Sequence, residues 1–388
     1  LTLVAILASW SWTELGADLA PDQRAVALLF LIAVGLWVTE AVPAFAVGLF
    51  IMGYLVYVLG TPWLVGEARD PSAYLDTWSS PVIWLLMGGF FMAAGLSKTG
   101  LDRQAFGRAL RFAGSRPDRV LLAIMLTTAV ASMFLSNTST SAIMIGAVLP
   151  FVNRVGPDEP FSRAMLLGIP IAASLGGMGT IIGSAPNAIA AGVADDFGKG
   201  IDFVVWMGFG LPVAIALVLL GWRLLLWRYP PTPGAVVLDF GLEDEPTPER
   251  RRERRIVGAI TVSTVLLWAT TPLHGLHVSV ISLVPIVGLT LSQVLGAVDV
   301  RTLPWDTLML VAGGLSLGAA VVDTGLAETL AGHLTALTGL GSDVLVFLVL
   351  ALLTVALSNF MSNTATVSIM LPVAVALLPG RELEMCLV

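Results

Sequence analysis

The sequence predicts an all-α polytopic membrane protein, built as an inverted-topology repeat with two re-entrant hairpins and broken transmembrane helices. Three observations predict it. Apolar residues make up 56% of the 388 positions and charged residues only 12%, where a soluble domain carries about 25% charge. Apolar runs recur along the whole chain, as in a protein whose solvent is lipid. Finally, a Ser-Asn-Thr triplet occurs twice inside such runs, at Ser136-Asn137-Thr138 and Ser362-Asn363-Thr364. Amides and hydroxyls between two greasy arms are costly unless they have partners, so each triplet marks a candidate site.

The same composition excludes several classes. A net charge of −7 spread over loops points to no nucleic-acid partner. The single Cys386 excludes a disulfide framework and a multi-cysteine metal site. No nucleophile–base pair or metal cluster suggests an enzyme, and His274 and His277, a bare pair in one predicted loop, read as polar surface. The chain opens inside an apolar run, Leu1 to Trp12, with no recognisable cleavable signal peptide, so its native N-terminus is expected to lie upstream.

Taken in order, apolar segments fall at about Thr2–Trp12, Ala25–Thr39, Pro43–Gly60 and Val82–Leu96, followed by the first hairpin, about 120–152. Its two arms, on either side of the first triplet, are short against the roughly 20 helical residues that span a bilayer. Phe161–Ala194 has the opposite problem: at about 1.5 Å per residue it would run roughly 50 Å. Its middle, Gly176-Gly-Met-Gly-Thr-Ile-Ile-Gly-Ser-Ala-Pro-Asn187, predicts a helix broken by unwound backbone. Val204–Trp222 follows and completes a first half, 1–228. Tyr229–Arg255, rich in Pro and charge, reads as a cytoplasmic linker, 229–255. The second half, 256–388, holds Ile256–Thr271, His277–Val298, Leu308–Val322 and a second hairpin, about 344–378.

Charge placement sets the topology. Assigning the loops around Lys98–Arg119, Arg154–Arg163, Arg223–Arg255 and Arg301 to the cytoplasm puts 16 of the 20 basic residues inside, leaving Arg24, Arg69, Lys199 and Arg381 outside. The first hairpin then enters from the cytoplasm and the second from outside, as an inverted repeat requires. The repeat is legible in sequence. Gly88-Gly89 and Thr99-Gly100-Leu101 recur 225 residues later as Gly313-Gly314 and Thr324-Gly325-Leu326, and the triplets recur at 226.

Asn and Thr offer neutral oxygens to a desolvated cation and donors to a carboxylate, and half-helix N-termini favour anions. Ser132 and Ser358 each precede a triplet serine by four residues, one helical turn on the same face; each hydroxyl either satisfies its own helix carbonyl or serves as a ligand, and the symmetric repetition favours ligand duty. Both triplets and Gly176–Asn187 lack Asp, Glu, His, Lys and Arg, which favours Na+ over a proton as the coupled ion. Glu40 falls at a predicted cytoplasmic helix end and reads as structural.

The stretches Ser136-Asn-Thr-Ser-Thr140, Ser362-Asn-Thr-Ala-Thr366, Gly179-Thr-Ile-Ile-Gly-Ser-Ala-Pro-Asn187 and Thr39-Glu-Ala-Val-Pro43 together resemble the divalent anion:sodium symporter family, the sodium–dicarboxylate and citrate transporters. The resemblance implies sodium-coupled symport of a small di- or tricarboxylate in the plasma (inner) membrane. It implies a homodimer held by scaffold helices around Pro43–Gly60 and His277–Val298, with a transport domain that moves like an elevator. It implies one sodium site at Ser132, Ser136, Asn137 and Gly183, and a pseudo-symmetric one at Ser358, Ser362 and Asn363. Substrate carboxylates would be held by Asn137, Thr138, Asn363 and Thr364, with Ser184 and Pro186 nearby. A dicarboxylate exchanger or sulfate carrier on the same fold is the alternative, and a passive anion channel a more distant one. The chain departs from the family's usual Thr-Pro-Pro-Asn, reading Ser184-Ala-Pro-Asn187. The second-half counterpart of Gly176–Asn187 would lie beyond Val388, so part of the second sodium site and of the substrate site is expected to be absent from this sequence, through truncation of the sequence or an incomplete product.

Overall fold

A computed structural model describes residues 19–111, 114–196, 200–231, 247–326, 329 and 343–377. The apolar segment Thr2–Trp12, Lys199, most of the expected linker, Arg381 and Cys386 lie outside the described residues. Every regular element among those described is helical. The main helices are α1 (Pro21–Thr39), α2 (Ala44–Leu59), α3 (Pro81–Thr99), α4 (Leu101–Arg111), α5 (Pro117–Ser132), α6 (Asn137–Val155) and α7 (Pro160–Gly177). They continue as α8 (Ala185–Asp196), α9 (Phe203–Arg228), α10 (Pro248–Ala269), α11 (Val278–Leu291), α12 (Trp305–Asp323), α13 (Asp343–Leu357) and α14 (Asn363–Leu377). Four of them, α1, α3, α9 and α12, are long and apolar enough to cross a membrane.

The helices group into two compact units that cut across the sequence halves. One comprises 1–83, 188–201 and 304–388; the other comprises 84–187 and 202–303. In the first, α12 packs along α2 and against α14. Lipid is as apolar as leucine, so helices associate through close packing rather than through exclusion of water. Small residues make that packing possible here. A Cβ on Gly48 would stand 2.7 Å from the Met309 carbonyl oxygen, and Gly313 faces the Gly48 backbone directly. Gly314 lies against Ser368 of α14, where a Cβ would meet its hydroxyl at 2.5 Å. At the helix ends, Arg69 ties α1 to α12, donating to Asp22 at 2.5 Å and to the Asp323 carbonyl at 2.7 Å.

In the second unit α5 packs on α7, and α9 covers both. Leu121, Ile124, Met125, Met165, Ile169 and Val218 form the buried centre. α10 packs on α11, and Trp268 of α10 stacks on Phe203 with ring centroids 5.4 Å apart. Lys98, at the end of α3, donates to Asp299 at 2.6 Å.

The basic block is not linker. Thr247 caps the Arg250 N–H, Pro248 takes the first helical position and Glu249 sits in the first turn, so Arg250–Arg255 form the opening turns of α10.

The repeated sequence segments adopt the same local structure. Gly100 and Gly325 both end their helices at φ +67°, a left-handed conformation that costs glycine little. Thr99 and Thr324 each donate back to the carbonyl four residues earlier, at 2.8 and 2.7 Å.

Candidate functional site

The first triplet sits where the chain turns between α5 and α6. α5 stops at Ser132, and Ser136 caps α6 by accepting the Ser139 N–H at 3.2 Å. The Ser136 hydroxyl also donates to Ser139 Oγ at 2.8 Å. The helix therefore ends between Ser132 and Ser136, and the two do not share a helical face as their spacing suggests. The turn instead brings Ser132 to Asn137: the fully buried serine hydroxyl donates to Asn137 Oδ1 at 2.6 Å. Thr138 is exposed on the first turn of α6.

The second component is the break after α7. The chain leaves the helix at Gly177, makes a single 3-10 turn at Ile181–Gly183 and re-enters helix at Ala185. Pro186, half-buried, is the second residue of α8, where its missing N–H has no helical partner to lose. Ser184, also half-buried, precedes the helix in extended conformation, and its carbonyl accepts the Asn187 N–H at 3.1 Å.

Two polar side chains hold the break. The Thr180 hydroxyl donates to the Met133 carbonyl at 2.6 Å and accepts the Gly183 N–H at 3.1 Å, joining the hairpin turn to the break. Asn187 Nδ2 donates to the carbonyls of Gly177 at 2.9 Å and Thr180 at 2.8 Å. Unwound backbone among buried residues such as Thr180, Ile181 and Ile182 needs such partners. α9 adds a third, as Trp206 Nε1 donates to the Met178 carbonyl at 2.9 Å.

Glycines let the two components close on each other. Gly176 lies so near the Ala129 backbone that no side chain fits between them. A Cβ on Gly177 would stand 2.7 Å from Asn137 Oδ1 and 3.1 Å from the Gly183 carbonyl oxygen. Ser132, Asn137 and Gly183 thus converge around Gly177, while the exposed Ser136 serves as a helix cap. Sequence reasoning named Ser132, Asn137 and Gly183 but gave no role to Thr180 or Gly177, and Asn187 entered only as part of a motif.

The second triplet lies in the other compact unit. Ser362 caps α14 as Ser136 caps α6, accepting the Ala365 N–H at 3.2 Å. Asn363 is exposed and Thr364 half-buried, the latter's carbonyl accepting the Ser368 hydroxyl at 2.9 Å. The local symmetry stops at Ser358. Its hydroxyl donates to Val355 of its own helix at 2.9 Å, where Ser132 reaches across the turn to an asparagine.

Chemically, the first cluster offers neutral oxygens and the N-termini of α6 and α8, with no ionisable side chain among its residues. The cluster lies in a chain whose described residues include four helices long and apolar enough to cross a membrane, the composition of an integral membrane protein. The citrate transporter family matches residues 34–387, and the chain belongs to it, within the divalent anion:sodium symporters that its motifs resemble. It is an integral membrane protein of the plasma membrane, and its family consists of transporters rather than enzymes.

The relatives agree. The sodium-dependent dicarboxylate transporter SdcS of Staphylococcus saprophyticus is 28% identical over 395 residues, covering 92% of this chain and 74% of its own length. SdcS of Staphylococcus aureus (strain MSSA476) is 27% identical, over 88% of this chain and 70% of its own. An uncharacterized transporter of Schizosaccharomyces pombe is 26% identical, over 92% of this chain and 41% of its own.

Proposed function

We propose that the protein is a secondary active transporter that couples inward movement of a di- or tricarboxylate, of the succinate, malate or citrate kind, to Na+. The convergence of Ser132, Asn137 and Gly183 around Gly177 carries this reading. In it, Na+ is taken by Ser132, Ser136, Asn137 and Gly183, and a second ion by Ser358, Ser362 and Asn363. Asn137, Thr138, Asn363 and Thr364 present donors to the carboxylates, with Ser184 and Pro186 beside them. The cluster has no Arg or Lys, and a helix N-terminus contributes only about 0.3–1 kcal/mol to an exposed anion and up to about 2 when partly buried. Those terms are too small to desolvate two carboxylates alone, so the cations must supply the rest. Sodium therefore binds first, and by linkage each ligand tightens the other by the same factor.

The two hairpins enter from opposite faces in this reading, and the chain works as a homodimer by an elevator motion. Uptake of labelled succinate, citrate and sulfate into liposomes, with and without a sodium gradient, tests the proposal. Saturable uptake driven by the gradient is expected. Counterflow without sodium would identify an exchanger instead, and non-saturable flux a channel. Asn137→Ala should weaken sodium about 5- to 150-fold, the equivalent of about 1–3 kcal/mol. Unchanged sodium dependence in that variant would remove Asn137 from the site.

A further inference from the structure

The unit of residues 84–187 and 202–303 contains, apart from the ion cluster, an open apolar groove of about 560 Å³ between α4, α5 and α10. Its walls include Leu96, Phe106, Val130, Phe134, Val262 and Leu266. Few polar side chains reach it, among them Asp102, Thr127 and Thr261. A groove of this shape and chemistry suits a hydrocarbon chain.

Its rim is cationic. α10 carries five arginines between Arg250 and Arg255 against two glutamates, Glu249 and Glu253, and then turns apolar within two turns. Arg254 and Arg255 precede the groove residues Thr261 and Val262 by seven positions each, about two helical turns on the same faces. Arg254 marks the join between rim and groove: its Nε donates to the Thr99 carbonyl at 2.8 Å, between groove residues Leu96 and Leu101. Arg255 is exposed, and across the groove Arg103 is exposed on α4 beside Asp102.

We propose that this groove binds an anionic glycerophospholipid of the cytoplasmic leaflet. One acyl chain lies between α4, α5 and α10, and the phosphate is held at the rim by Arg103, Arg255 and their neighbours. An apolar trough with a net positive collar at its cytoplasmic end is complementary to one negatively charged lipid and indifferent to a zwitterionic one. The assignment is independent of what the protein transports.

The test is native mass spectrometry of the full-length, detergent-purified protein, delipidated and then re-supplied with palmitoyl-oleoyl phosphatidylglycerol or phosphatidylcholine. Preferential retention of phosphatidylglycerol is expected. Each arginine near a membrane surface contributes about a 5-fold preference, so the pair Arg103→Gln and Arg255→Gln should lower the ratio about 25-fold. Ala105→Phe, which adds a ring to the groove wall, should lower retention of both lipids. Equal retention of the two lipids by the wild type would overturn the proposal, as would a ratio unchanged in the arginine pair. A dimer population that shifts in Ala105→Phe while lipid counts stay constant would assign the groove to a second copy instead. Both arginines are exposed, so that pair tests the proposal even if Ala105→Phe fails to fold.

Discussion

Thr180→Val is a nearly isosteric change at the join between hairpin turn and broken helix, and its cost can be worked out bond by bond. The hydroxyl makes two buried hydrogen bonds, to the Met133 carbonyl and from the Gly183 N–H. The Gly183 N–H keeps a second acceptor, the Thr180 carbonyl at 3.3 Å, so its loss is small. The Met133 carbonyl loses the hydroxyl that reaches it from the break. Leaving a buried acceptor without that donor costs about 1–3 kcal/mol. If Met133 and Gly183 must stay in register for Asn137 and Gly183 to act on one ion, about 2 kcal/mol appears as roughly 30-fold weaker sodium binding. The assay is a sodium titration of thermal stability at constant ionic strength, with choline replacing sodium. Thr180→Ser retains the hydroxyl and should titrate near the wild type. A wild-type midpoint in Thr180→Val would refute the reasoning. So would equal damage in Thr180→Ser, which would show that keeping the hydroxyl is not enough to keep the site.

Three further outcomes are expected. Asn187→Asp replaces two donated hydrogen bonds with a carboxylate facing the Gly177 and Thr180 carbonyls. At about 1–3 kcal/mol for each lost bond, monodisperse yield should collapse, and a wild-type elution profile would argue against the clamp. Gly48→Ala pushes a methyl against the Met309 backbone, which cannot yield as a flexible side chain would. It should cost about 1–3 kcal/mol by overpacking, read as a lower melting temperature, whereas Gly53→Ala, with open space beside it, should melt like the wild type. The Asp299 carboxyl is held below its ordinary range by the Lys98 ammonium and then by the Gly296 N–H. Its contribution is complete above the unfolded value near 3.8 and is lost as pH falls through the lowered folded value. The pair is partly exposed, so the effect is under about 1 kcal/mol. Melting curves should diverge between wild type and Asp299→Asn above that window and converge below it; a constant gap would refute the linkage.

Much of this was legible in the residues. Glycines and a proline announced the break between Gly177 and Ala185, and the short arms around Asn137 and Asn363 announced the turns. The Thr-Gly-Leu repeat reads as a sign of internal duplication, and it was the coordinates that added the matching left-handed glycines at Gly100 and Gly325. Other features needed coordinates. A helical ruler placed Ser132 and Ser136 on one face, but the chain turns between them, and only the turn geometry shows that Ser132 meets Asn137. Ser358 has the same spacing to Asn363 yet bonds its own helix at Val355, the alternative that the spacing left open and that only the coordinates decide. Thr180 reads as filler among glycines until the Met133 carbonyl is seen beside it. The start of α10 was available in principle: Thr247-Pro248-Glu249 is a helix-start signal, masked by the Pro- and charge-rich stretch preceding it.

The charged opening of α10 also fixes how deep that helix can sit. Moving a single arginine to the centre of a bilayer costs about 2.5–3.5 kcal/mol on insertion scales, and five are wound around the first two turns. Sinking α10 by a few turns would carry several of those charges into hydrocarbon, at that cost for each. The stretch Asp343–Leu377 is its opposite, with Asp343 its sole charged residue. Such a segment can change depth without carrying charge through hydrocarbon, so the energetic resistance to vertical displacement is distributed very unevenly along this chain.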